Sequence, residues 1–158
     1  MKNESIQSYS KRITQANPTE LVVITYEIIL EHLDCAWEAA EQNEMDKFQA
    51  SINGAINFLK ELIVGLDFQY EIAAQLMSIY LYVNKELLNA RRANKPDGIP
   101  GIKKVLIPLF TAFQEVSRQD QSEPVMQNTH KVYAGLTYNR GDLSETYINA
   151  DQSRGFRA

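Results

Sequence analysis

The chain has 158 residues, enough for one domain that buries about two-thirds of the surface its unfolded form exposes. Sixteen Lys and Arg against twenty Asp and Glu leave a formal charge of −4, so phosphate backbones exert no general attraction and nucleic acid is not an expected partner. A single cysteine, Cys35, excludes an internal disulfide framework and a Cys-rich zinc site. The longest run without a charged side chain, Ile72 to Asn84, is too short to span a bilayer, and Met1–Ser5 has no apolar stretch of the signal-peptide kind. The expectation is a cytoplasmic protein with no membrane span.

Residues 1–17 read as a short polar arm carrying Ile6, Tyr9 and Ile13. A helix then starts: Asn17 can cap, Pro18 suits the first helical position, and Glu20 stands three residues after the cap. It should run to about Gln42. Leu21, Ile24 and Ile28 mark one apolar face, and Val22, Tyr26, Ile29, Leu33 and Trp37 mark another. Two faces mean either several neighbours in the fold or a face kept for a partner. A short connection, Asn43–Met45, makes the next helix an antiparallel neighbour; its stripe is Phe48, Ile52, Ala55 or Ile56, Leu59, Ile63 and Leu66, ending at Gly65-Leu66-Asp67. A third helix is expected from about Phe68 to Arg92, with Ile72, Leu76, Ile79, Tyr80, Val83, Leu87 and Ala90 inward, before Asn94-Lys95-Pro96-Asp97-Gly98 breaks it. The fourth begins near Pro100 and carries Ile102, Val105, Leu106, Leu109, Phe110, Phe113 and Val116; Pro108 should kink it.

The pattern is all-α: an antiparallel four-helix bundle over residues 18–121, flanked by the arm at 1–17 and a tail at 122–158. Unlike typical disordered tails, this one holds aromatics, among them Tyr133, Tyr138, Tyr147 and Phe156. A short fifth helix over Pro124–Ala134 fits its spacing. The segment Val132–Tyr138, with Tyr133, Leu136 and Tyr138 around Gly135, is read either as permanent packing on the bundle or as a short linear motif that docks on its own or another molecule.

A catalytic constellation does not emerge. The two histidines, His32 and His130, have Ile29 and Gln127 three residues before them, so the Glu-x-x-His pairs of di-metal bundles are missing. Neither a P-loop nor a G-x-G-x-x-G nor an H-E-x-x-H occurs. His32 and Cys35 lie three apart on one helix, but a half-exposed histidine and a small buried thiol explain them without catalysis. The expectation is no enzyme, no cofactor and no metal.

Charge and tyrosines say more. From Pro18 to Asp46 there are eight acids and no base. Glu27, Glu31, Asp34, Glu38 and Glu41 follow at intervals of four, three, four and three, one helical stripe of like charges. It is either a solvated face partnered by Lys103 and Lys104 or a dock for a basic segment. Tyr80 and Tyr82, two residues apart, point about 200° apart on a helix, so at least one lies at the edge of the bundle. That ring is either half-buried with a wet hydroxyl or the rim of a groove for another chain's helix.

Three stretches resemble the flagellin-specific export chaperone family, called FliS. Pro18-Thr19-Glu20-Leu21 followed by Tyr26 is similar to its Pro-x-x-Leu with an aromatic five residues on. Ala55, Leu59, Glu61-Leu62 and Leu66-Asp67 are close to its second-helix pattern, and Tyr80-Leu81-Tyr82 with Leu87 and Ala90 to its Tyr-x-Tyr-x4-Leu-x2-Ala. The likeness covers about residues 6–116. Thr25 stands where the family commonly has leucine, and the fourth helix has Phe113 where a tryptophan is frequent. The resemblance implies a non-enzymatic cytoplasmic chaperone that wraps the disordered C-terminal segment of flagellin around its bundle, prevents premature polymerisation and delivers the subunit to the flagellar export gate. It places Leu21, Tyr26, Tyr80, Tyr82 and Leu87 at or near the client site, with the arm residues Ile6, Tyr9 and Ile13 covering part of it. The alternative is a helical adaptor or regulator that binds some other amphipathic segment. Oligomeric state is open.

Overall fold

Five helices make up most of residues 3–126, the part of the chain that this computed structural model describes: α1 (Asn3–Ile13), α2 (Pro18–Glu41), α3 (Met45–Val64), α4 (Ile72–Ala93) and α5 (Ile99–Gln119). Local chemistry sets several of their ends. Asn17 is extended (φ −76°, ψ 172°), and its Oδ1 accepts the Glu20 N–H at 2.7 Å, with Pro18 in the first turn behind it. Asn43 takes a left-handed conformation (φ 56°), which asparagine tolerates better than most residues, and the Glu44 N–H donates back to the Ala39 carbonyl at 2.8 Å. The chain therefore reverses within three residues, and α3 returns beside α2. Asn94 (φ 52°) ends α4 in the same way. α5 is continuous through Pro108, although that residue supplies no N–H to the Lys104 carbonyl one turn earlier.

α2 packs on α3 and α5, α3 on α4, and α4 on α5, which closes a ring of four helices with α2 and α4 on one diagonal. Contacts along the edges fix antiparallel directions. Gln49 near the start of α3 donates to the Arg91 carbonyl near the end of α4, at 2.8 Å. Lys103 near the start of α5 reaches Asp34 in the second half of α2, at 2.5 Å, and Thr19 at the start of α2 meets Asp120 just past α5. Inside the ring lie Tyr26, Ile29 and Leu33 from α2, Phe48, Ile52 and Leu59 from α3, Tyr80, Val83 and Leu87 from α4, and Ile102 and Leu106 from α5, all buried. Each such side chain stabilises the fold by about 1.5–3 kcal/mol relative to exposure.

Two elements differ from the sequence expectation. The arm is a helix, α1, which packs on α2 alone. Glu4 in its first turn and Lys11 and Arg12 in its last match the helix dipole. Tyr9 and Ile13 rest on Ala16, Ile24 and Ile28, so the second apolar face of α2 is covered from within the chain. Ile6 stays exposed. α4 starts at Ile72 rather than near Phe68, because the Asp67 carboxylate accepts the Gln69 N–H at 2.9 Å and the Tyr70 N–H returns to the Asp67 carbonyl, turning the chain before it can coil. In the tail, residues 124–126 are non-helical, and the rest of the expected fifth helix, with Tyr133, Leu136 and Tyr138, lies outside the described residues.

α2 and α3 approach closely where His32 lies over Gly54. A Cβ on Gly54 would run into the His32 ring, which also faces Phe58 with centroids 5.9 Å apart. His32 Nδ1 is buried and has no hydrogen-bond partner among the described residues. Burial therefore favours the neutral ring and holds the pKa of His32 below its usual value. The unfolded chain binds the proton more readily, so stability should be full above about pH 6.5 and decline as pH falls below it. Denaturant midpoints at pH 7.5 and 5.5 should show that decline, and His32→Gln should flatten it. Gly54→Ala gains about 1 kcal/mol in helix propensity yet should destabilise by about 1–3 kcal/mol net through overpacking. Urea unfolding of Gly54→Ala, alone and with His32→Ala, checks this: the second substitution should restore most of the loss.

Candidate partner-binding groove

The side chains that bound the site are placed by the one end of the ring where α2 and α4 begin and α3 and α5 finish. There the closing α3–α4 turn, residues 65–71, leaves an apolar groove of about 790 Å³. Leu21 and Val22 of α2, Phe58 and Leu62 of α3, Leu66 and Tyr70 of the turn, Ile72 and Leu76 of α4, and Phe113 and Val116 of α5 line it, with Ile13 of α1 at one edge. Phe68 (65% exposed), Tyr70 (66%) and Ile72 (59%) show how much apolar surface this end keeps in water. Apolar area of this kind on a folded chain marks an interaction site.

The floor is rigid. Tyr80 lines the groove, and its hydroxyl meets that of Tyr26 at 2.6 Å, fully buried. The Tyr26 ring also lies against Phe113, centroids 5.6 Å apart. Burial raises both phenol pKa values well above the usual phenol range, so both hydroxyls stay protonated at neutral pH.

α1 lies beside the groove, with Ile13 in its lining. Arg12 pairs with Glu27 at 2.5 Å. Burial, followed by a hydrogen bond to Glu31, pushes the Tyr9 phenol up to about 12. A short strap fastens the elbow between α1 and α2. Asn17 Nδ2 donates to the Asp120 carbonyl at 3.3 Å, Thr19 Oγ1 donates to the Asp120 carboxylate at 2.6 Å, and the Val125 N–H donates to the Ala16 carbonyl at 3.0 Å. Hydrogen bonds from Ser122 and then Thr19 hold the Asp120 carboxyl down at about 2.

Of the residues singled out by sequence, Leu21 and Tyr80 line this groove, and Tyr26 lies beneath it. Tyr82 is 47% exposed on the opposite side of α4 from Tyr80, away from the groove lining. Leu87 is fully buried in the core with Ile99, Ile102 and Leu106. Ile13 lines the groove, Tyr9 packs on α2, and Ile6 does neither. Sequence reasoning missed Phe58, Leu66, Tyr70 and Ile72. The available signal was the run of apolar residues across a turn that ends one helix and delays the next. The acidic stripe is largely spoken for: Glu27 by Arg12, Glu31 by Tyr9, Asp34 by Lys103, and Glu41 by the Trp37 indole at 2.8 Å. Among the described residues no group of histidine, cysteine or carboxylate side chains is placed to hold a metal, and no helix is long and apolar enough to cross a membrane.

The described residues thus form a closed ring of four helices with an apolar groove at one end and a helical arm beside it. The family model for flagellar protein FliS matches residues 1–120, and the chain belongs to that family, whose members act as flagellar chaperones. A comparison with the curated proteins finds no match.

The two tyrosines make a measurable prediction. Tyr26→Phe leaves the Tyr80 hydroxyl unpaired at the floor and should cost about 1–3 kcal/mol in urea unfolding. Tyr26→Phe with Tyr80→Phe should cost less than the sum of the two single changes, because no hydroxyl is then left without a partner.

Proposed function

We propose that this chain holds the disordered C-terminal segment of flagellin, keeps it from polymerising, and hands it to the flagellar export gate. The observation that carries this reading is the open apolar groove between Leu21, Leu62, Tyr70, Tyr80 and Phe113, in a chain that belongs to a chaperone family. Folding a disordered segment on a surface costs about 2–5 kcal/mol, and contiguous apolar contact is the physical source that can offset it. The client fills the groove with a short helix and continues around the bundle across the outer face of α4, where Leu81 and Tyr82 are exposed. The arm competes for the edge of the groove, since Ile13 lines it.

Calorimetry with the flagellin C-terminal peptide tests this. Tyr70→Ala, at an exposed ring on the groove, should weaken binding by about 1 kcal/mol or more with the helical content unchanged. Tyr82→Ala should weaken it as well. A loss at Tyr70 alone would confine the contact to the groove, and no binding by the unaltered chain would favour a helical adaptor for some other segment. Deleting residues 1–15 should speed and tighten association, whereas weaker binding would make the arm part of the client contact.

A further inference from the structure

The charges around the groove are as uneven as its shape. Its lining holds two charged side chains, Glu61 and Asp67, both acidic. Both are exposed, and neither forms an ion pair among the described residues; Asp67 spends one carboxylate oxygen on the Gln69 N–H. Glu61 stands in the last turn of α3, where the helix already presents the negative end of its dipole. α1, α4 and α5 carry Lys or Arg in their last turns, and α2 and α3 carry none. Lys60, next in sequence, does not line the groove. Two carboxylates thus line the same apolar opening, and no lysine or arginine among the described residues lines it. An occupant that brings positive charge to this edge is attracted by both carboxylates, and one that brings negative charge is repelled.

We infer that the groove selects an amphipathic helix that carries a lysine or arginine on the edge meeting Glu61 and Asp67. This deepens the proposed function and rests on the groove being the client site. Apolar contacts with Leu21, Leu62 and Phe113 give the affinity. The acidic edge fixes which rotation and register of the helix is accepted, because a helix turned the other way brings its acidic or polar face against two unneutralised carboxylates.

Two amphipathic model peptides with one apolar face, one edged with lysine and one with glutamate, test the charge rule apart from the client's identity; the flagellin C-terminal peptide runs beside them. At low salt the lysine-edged peptide should bind more tightly, by about two- to tenfold, the range expected for two exposed ion pairs. The preference should shrink as salt rises to about 0.3 M. It should vanish in Glu61→Gln with Asp67→Asn, which keeps the oxygen that Gln69 N–H needs, and persist in Glu38→Gln with Asp46→Asn, which removes the same charge elsewhere. Equal binding of the two peptides, or a preference that survives in the Glu61 and Asp67 variant, overturns the inference. Failure of the flagellin peptide alone, with the lysine preference intact, would instead overturn flagellin as the client.

Discussion

The hydroxyl–hydroxyl bond between Tyr26 and Tyr80 is the constraint on which the rest of the structure turns. α2 and α4 occupy opposite corners of the ring and do not pack on each other directly. Two tyrosines reach across the diagonal and meet at 2.6 Å. A phenol carried into an apolar core costs free energy unless its oxygen finds a partner. Each of these supplies the other's partner, so the bond forms only when both helices hold one axial register. Tyr26 stands nine residues into α2 and Tyr80 nine residues into α4, counted from Pro18 and Ile72, so the two helices of the diagonal run level and parallel. α3 and α5 then fill the remaining corners in the opposite direction.

The groove lies at the end of the ring where α2 and α4 begin. α3 ends and α4 begins at that end of the ring, so the turn between them lies there. In the Asp67 turn Phe68 and Tyr70 are exposed, while Leu66 is partly buried against the core and lines the groove. Phe113, held against Tyr26, props α5 at the same level. Tyr80, which lines the groove, is tied to Tyr26 beneath it. The groove lining and the core share Tyr80.

This division explains what could be read in the sequence. The start of α2 was legible because Asn17, Pro18 and Glu20 act locally, and the α3 stripe was legible because Phe48, Ile52 and Leu59 repeat at helical spacing. That Tyr80 and Tyr82 face apart follows from helix geometry alone. Which of them turns inward depends on Tyr26, 54 residues away, and no local pattern carries that. α1 was passed over as a polar arm since its apolar residues are few, although Tyr9 and Ile13 lie four apart and both rest on α2. The groove was the least legible part. Periodicity marks residues as apolar but does not tell a covered one from an uncovered one. Leu66 and Ile63 looked like one stripe, and only the turn at Asp67 sends Leu66 to the groove.

α1 is attached differently from every other helix, and the difference has a mechanical consequence. Each helix of the ring touches two neighbours, so none can leave without opening the core. α1 touches one, through Tyr9 and Ile13, an Arg12–Glu27 pair that is partly open to solvent, and the Tyr9–Glu31 contact. Partly solvated ion pairs contribute little, so its docking rests on two apolar side chains. The elbow beneath it is fastened separately, by fully buried Ala16 and by the bonds from Asn17, Thr19 and Val125. Lifting α1 therefore need not disturb the cap of α2 or the strap from the end of α5, and the break falls between Ile13 and Ala16. What lifting uncovers is the Ile24 and Ile28 face, together with the groove edge that Ile13 occupied. A floor tied by two tyrosines inside the ring and a side wall held by two apolar contacts therefore differ in how much packing each must break in order to move.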